Sequence, residues 1–285
     1  MIERIAIVGT GLIGASIGMA LKASGFSGTI LGYDTNADEL SAALSLDAID
    51  EVLVDRDAVL TSKADVFALC TPVLPILDWM EYLAPALSEQ QFVTDVGSTK
   101  REIAAKAAKL FNRPGRARFL PGHPMAGKES GGAVLAEATL FQGATWLFTP
   151  IVEYGPLETE WRELVKLFGA QLRNMNAPRH DEVCAWVSHL PQMMSTALAA
   201  LLQDTFAEDP EGMAAVQAIG GRALRETTRL GASPYSMWRD VAMTNTAEIA
   251  QTISALEQRL AHVRENLRTP ELREEFSRAN QFRKK

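Results

Sequence analysis

The segment Gly9-Thr-Gly11-Leu-Ile-Gly14 follows an apolar run at 5–8 and opens an apolar helical pattern at 11–23. Glycines alone also mark plain turns, and it is their place after a strand and before a helix that gives this spacing its weight. Gly9 permits a tight turn, Gly11 lets the backbone approach a pyrophosphate, and Gly14 lets helix and sheet pack closely. The helix N-terminus then offers unpaired N–H groups to phosphate oxygens. Asp34 ends the next strand-like run, at 29–33, where a carboxylate can accept hydrogen bonds from an adenosine ribose. That carboxylate would repel a 2′-phosphate, and no arginine follows at 35–37 to offset it, so NAD is expected over NADP. Leu12 and Ile13 within the turn, with Thr71 and Pro72 after the run at 66–70, complete the expected cofactor-binding set of Gly9, Gly11, Gly14 and Asp34. The bland reading, plain turn glycines and a turn aspartate, is disfavoured by this context.

Strand-like runs recur at 5–8, 29–33, 66–69, 92–95, 118–120 and 145–148, with helical patterns at 11–23, 37–46, 76–87 and 100–111 between several of them. Strand–helix alternation implies parallel pairing, because each crossover carries a helix. A helix at 157–168 and a short strand at 171–175 are expected to complete this layer. Beyond Asn176 the strand signal stops. Val183, Val187, Leu190, Met194 and Leu198 recur at three- and four-residue steps, as do Ile249, Ile253, Leu256, Leu260 and Val263. The expected fold is α/β: a Rossmann-type N-terminal nucleotide-binding domain over residues 1–176, followed by an all-α C-terminal domain over 177–285.

A net charge of −7 argues against a nucleic-acid partner, which calls for a basic patch. No apolar run reaches the roughly 18 residues of a membrane-spanning helix, and the start of the chain lacks the pattern of a signal peptide. The two cysteines, Cys70 and Cys184, have no CxxC partner, and the four histidines show no HxxxH or HExxH spacing, so no metal is expected. A cytoplasmic location and a single catalytic function are expected.

Parallel sheets bind ligands beyond the carboxyl ends of their strands. Here those ends carry the glycine turn, Asp34, Thr71-Pro72-Val73, Asp95-Val-Gly-Ser98 and Gly122-His123-Pro-Met-Ala-Gly127. His123 can accept a proton at neutral pH, and Pro124 restricts its backbone. A lone histidine is more often structural; its place at this edge, with Ser98, favours catalysis. Ser98 also reads as an N-cap for a helix at 99–111. His180 beside Asp181 reads as part of a helix start, and His262 as solvated.

The ordered segments Gly9–Gly14, Asp95-Val-Gly-Ser-Thr-Lys100, His123-Pro-Met-Ala-Gly-Lys-Glu-Ser-Gly131, Ser188-His-Leu-Pro191, Arg225-Glu-Thr-Thr-Arg229 and Met237-Trp-Arg-Asp240 resemble the prephenate/arogenate dehydrogenase family over nearly the whole chain. The resemblance implies NAD-dependent oxidative decarboxylation of prephenate, or of arogenate, towards tyrosine. It implies that His123 accepts the hydrogen bond of the ring 4-hydroxyl, and that Ser98 orients His123 and the nicotinamide. Arg225 would hold a substrate carboxylate, Glu129 would lie near the mouth of the site, and the helical domain would form a homodimer. Read without the resemblance, Arg225 is a helix-surface charge. His189 and Gln192 are expected on one helix face at the substrate, although Pro191 gives His189 a structural reading too. Many family members carry a second histidine where this chain has neutral Gln192, which bears on ketone against ammonium recognition. Lys128 either reaches towards a substrate carboxylate or is solvated. Other readings are a two-domain NAD(P)-dependent hydroxy-acid or imine dehydrogenase, and a non-catalytic NAD-binding sensor. The absence of a lysine between Gly169 and Gly221 weighs against the lysine-dependent version of the first.

Overall fold

The structure, a computed structural model, describes residues 1–284. Its contacts divide the chain into two compact units, Met1–Val183 with Ala232–Thr244, and Cys184–Gly231 with Asn245–Lys285.

In the first unit a six-stranded parallel sheet is built from β1 (Arg4–Val8), β2 (Thr29–Tyr33), β3 (Glu51–Val52), β4 (Val66–Leu69), β5 (Phe92–Asp95) and β6 (Arg118–Leu120). The strand order is β3-β2-β1-β4-β5-β6. The crossovers are helices α1 (Leu12–Ala23), α2 (Ala37–Ser45), α3 (Arg56–Thr61), α4 (Val73–Leu83) and α5 (Arg101–Leu110). Strand residues alternate between two apolar cores. Ile5, Ile7, Ile30 and Val66 enter one; Ala6, Val8, Leu31 and Phe67 enter the other. Both faces are therefore covered, as an all-parallel sheet requires.

The expectation that the later strands complete this same layer is corrected. After β6 the chain enters a separate three-stranded sheet, β7 (Gly122–Pro124), β8 (Thr145–Phe148) and β9 (Gln171–Asn174), with β7 antiparallel to β8 and β8 parallel to β9. Pro121, at the junction of β6 and β7, has no N–H to extend the parallel ladder. Helix α6 (Pro156–Leu167) places Trp161 and Val165 in the same core as Trp146 and Phe148. Strand β3 and helix α3 lie where no element is expected from sequence; β3 is two exposed residues, too short for any periodicity to register. Helix α4 starts at Val73 rather than 76, since Pro75 is tolerated in a first turn. Helix α7 (Ala177–Cys184) follows β9.

The second unit holds α8 (Leu190–Thr205), α9 (Pro210–Ile219) and α10 (Gly221–Thr228). The next helix, α11 (Tyr235–Thr244), clusters with the first unit: Asp240 accepts the N–H of Leu74 at 3.0 Å, and the Thr244 and Thr99 hydroxyls lie 2.7 Å apart. Helices α12 (Thr246–Glu265) and α13 (Glu271–Arg283) complete the second unit. A π-helical turn, Ala185–His189, leads into α8. Pro191 accounts for it, because a proline ring crowds the carbonyl four residues earlier and removes a helix hydrogen bond.

Candidate active site

Register brings the strand ends to one edge of the parallel sheet. Val8 stands opposite Tyr33 and Leu69, Leu69 opposite Asp95, and Thr94 opposite Leu120. The glycine turn, Asp34, Thr71, Ser98 and the approach to His123 therefore share that edge, and the strand order reverses between β1 and β4, where dinucleotides bind in such sheets.

At this edge Gly9 has φ +96°, and a Cβ there would come within 2.8 Å of the Cys70 carbonyl. A Cβ on Gly14 would lie 2.0 Å from the Gly9 carbonyl oxygen. Gly11 differs: apart from its adjoining chain, no described atom lies within 4 Å of its Cβ position, and its φ of −65° is open to any residue. Nothing in the fold itself demands glycine there, whereas a pyrophosphate at the α1 N-terminus would. The buried Thr10 hydroxyl has no hydrogen-bond partner among the described residues. Asp34 accepts N–H bonds from Thr10 at 2.8 Å and Asn36 at 2.9 Å, which fix the carboxylate at the end of β2. These features fit a dinucleotide. Thr71 is half-buried and Pro72 exposed beside them; Leu12 is buried and Ile13 half-buried in the first turn of α1.

Asp95, at the end of β5, is fully buried and pairs with the fully buried Lys100 ammonium. It also accepts the N–H of Gly97 at 2.7 Å and that of Gly122 at 3.2 Å. Burial raises its carboxyl above the usual aspartate range, while Lys100 and the two N–H groups pull the other way. This one carboxylate joins the loop holding Ser98 to the strand holding His123. Burial, aided by the Asp95 charge, pushes the Cys70 thiol up, so it stays protonated.

His123 is buried on β7, opposite Leu147 of β8. Its Nδ1 lies 2.9 Å from Nε2 of His180. The His180 Nδ1 lies 2.8 Å from Asp181, whose two oxygens accept the N–H groups of Lys100 (2.7 Å) and Arg101 (2.9 Å). The expectation that His180 merely opens a helix misses this contact, and Asp95, Lys100, His180 and Asp181 are the residues that sequence reasoning left out. A carboxylate ending a strand-like run was the available signal for Asp95; nothing local marks His180. Ser98 is half-buried at the same edge but forms no hydrogen bond with a described residue, and Lys100 rather than Ser98 is the N-cap of α5. Nδ1 of His123 is thus met by His180.

Lys128 and Glu129 follow β7, both half-buried. The Lys128 ammonium donates to the Leu135 carbonyl at 2.8 Å and pairs with Glu137, which closes the loop on itself.

In the second unit, His189 is buried, with Nδ1 3.2 Å from the Asn245 amide. Gln192 is buried and donates to the Leu230 carbonyl (2.7 Å) and the Thr196 hydroxyl (3.1 Å). Ser195 accepts the Gly231 N–H at 2.8 Å. Gln192 is therefore spent in good part on tying α8 to the turn after α10. Arg225 on α10 is exposed and forms no ion pair with a described residue.

Residues 17–173 match the family model "prephenate dehydrogenase, nucleotide-binding domain", and 176–281 match "prephenate dehydrogenase, dimerization domain". Prephenate dehydrogenase of Bacillus subtilis is 32% identical over 87% of this chain, which spans 66% of that protein's length. Among solved structures, prephenate dehydrogenase from Aquifex aeolicus in complex with hydroxyphenyl propionate and NAD+ superposes with a TM-score of 0.84 at 29% identity, covering 100% of this chain and 96% of that one. Synechocystis arogenate dehydrogenase superposes with a TM-score of 0.77 at 29% identity, covering 99% of both.

Proposed function

We propose that this chain, which belongs to the prephenate dehydrogenase family, catalyses the NAD-dependent oxidative decarboxylation of prephenate to 4-hydroxyphenylpyruvate, the step towards tyrosine. The observation that carries the reading is His123, buried on the strand that follows the parallel sheet and tied through Asp95 to the edge that bears the glycine turn.

When bound, NAD supplies the hydride acceptor. Gly9, Gly11 and Gly14, with Leu12 and Ile13, would hold its pyrophosphate at the α1 N-terminus, Asp34 would hold the adenosine ribose, and Thr71 and Pro72 would flank the cofactor. The fixed Asp34 carboxylate repels a 2′-phosphate, which supports NAD over NADP. Ser98, whose hydroxyl bonds no described residue, would face the nicotinamide end and help orient His123. His123 accepts the substrate 4-hydroxyl proton as hydride leaves C4. The bond from C1 to the carboxylate breaks to release CO2, and its electrons close the aromatic ring. The proton returns from His123 to the phenolate oxygen. Aromatisation makes the step downhill, so the protein's task is chiefly orientation.

Arg225 is the residue that grips a substrate carboxylate, by two parallel hydrogen bonds. His189 and Gln192 line the substrate side chain, Glu129 stands at the mouth, and Lys128 holds that loop closed. We place the functional division at 176/177, next to the point where one family model ends at 173 and the other begins at 176, and the homodimer in the helical part. Supporting this, α9, α10 and α13 bury no residue within the chain, while Leu201, Ile219 and Phe282 are exposed. No helix among the described residues is long and apolar enough to cross a membrane. We assign the cytoplasm, where the cysteines stay reduced.

The deciding experiment is an assay of prephenate and arogenate, each with NAD and NADP, following the reduced cofactor. Prephenate with NAD is expected to be turned over fastest. His123→Asn is expected to abolish turnover with NAD affinity intact. No turnover of either acid, or an active His123→Asn, would overturn the reading.

A further inference from the structure

We propose that His180 and Asp181 are positioning residues that set the tautomer of His123, holding its proton on Nδ1 so that Nε2 is the acceptor of the substrate proton. The inference rests on the reading of His123 as that acceptor.

The assignment follows from donors and acceptors taken in order from Asp181. Its oxygens accept two backbone N–H groups, from Lys100 at 2.7 Å and Arg101 at 2.9 Å. A carboxylate so engaged is an acceptor, and these bonds together with His180 hold its carboxyl below the usual range. At 2.8 Å from it, the His180 Nδ1 must therefore carry a hydrogen. His180 is fully buried, and burial opposes a positive charge on its ring, as does the nearby Lys100 ammonium, although Asp181 and Asp95 pull the other way. The ring is neutral, so its Nε2 bears a lone pair. His123 Nδ1 stands 2.9 Å away and has to donate to it. The neutral ring of His123 then has its lone pair on Nε2. Which ring nitrogen of a histidine is protonated is set by the hydrogen bond that the other one makes.

The arrangement differs from a carboxylate placed directly on the catalytic imidazole. A neutral ring stands between, so His123 gains orientation and a fixed tautomer without the full pull of a negative charge on its proton affinity. Asp181 also bonds the first residues of α5, so the helix that follows the Ser98 loop and the His123 ring are held by one anchor.

The test uses the full chain with 15N-labelled histidine, and two variants. In the unaltered protein with NAD bound, the nitrogen shifts of His123, assigned by their loss in His123→Asn, are expected to report the Nδ1–H form. His180→Gln keeps an amide oxygen to accept from His123 and an amide N–H for Asp181. It is expected to retain the Nδ1–H form and kcat within about tenfold, whereas His180→Leu is expected to lose kcat by about 100-fold or more while KM moves less than about threefold. A His123 proton on Nε2 in the unaltered protein would overturn the proposal, and so would a His180→Leu enzyme as active as the Gln variant. Should His180→Leu fail to fold, the nitrogen shifts and His180→Gln still decide it. A correct tautomer combined with an active His123→Asn would instead sink the acceptor role and leave the tautomer assignment standing.

Discussion

Gly11 and Gly14 show how one residue type serves two ends within a single turn. Gly14 is demanded by the protein, since a Cβ would lie 2.0 Å from the Gly9 carbonyl oxygen. Gly11 is demanded by no packing among the described residues, as its Cβ position has no neighbour within 4 Å apart from the adjoining chain. Gly11→Ala is therefore expected to leave the urea midpoint almost unchanged, shifting stability by about 0.5 kcal/mol or less, while weakening NAD about tenfold or more by calorimetry. Gly14→Ala is expected to cost about 1–3 kcal/mol of stability by overpacking. If both variants lost stability alike, the distinction would fail. His180 makes a related point. Its burial lowers its pKa from 6.5, so below that value the unfolded chain binds more protons than the folded one. Stability from this group is complete above about pH 6.5 and declines as the pH falls through the window down to its lowered folded value. Urea midpoints taken from pH 7.5 to pH 5, conditions chosen to bracket that window, should fall more in the unaltered protein than in His180→Gln. Equal falls would remove His180 as the cause.

Among the elements, the short connections after β5 and β6, which hold Ser98 and lead to His123, are tied together because Asp95 binds both. Its carboxylate takes the Gly97 N–H from its own loop, the Gly122 N–H from β7 and the Lys100 ammonium. A buried pair of this kind is weak evidence for stability, since desolvation offsets the attraction, but breaking it leaves a charge with no compensation. Lys100→Met is expected to cost about 3–5 kcal/mol by urea denaturation, and Asp95→Asn combined with it to recover part of that loss. Strict additivity of the two substitutions would mean that the pair is not coupled. The ties from Gln192 and Ser195 do for α8 what Asp95 does for β5: they hold a stretch in place by bonds to backbone groups.

For the molecule as a whole, the two units differ in how they are stabilised. The first buries strands on both faces and a set of large aromatic rings, including Trp146, Trp161 and Phe148. The second exposes much of its apolar surface within one chain, which suits a part that completes its core against a second copy. The glycine turn, the strand–helix alternation, the pairing edge and the place of His123 just past a strand end could be read from the residues because each depends on neighbours a few positions apart: a turn needs its glycines, a buried strand its apolar run. That Asp181 meets Lys100 across 81 positions, that His180 meets His123 across 57, and that the chain leaves the parallel sheet at Pro121 for a second one, depended on packing between distant segments. No local pattern encodes such meetings. A histidine beside an aspartate at a helix start has the same local propensities whether or not its ring meets another side chain, and only the folded chain, by placing Nδ1 of His123 2.9 Å from its ring, made that contact.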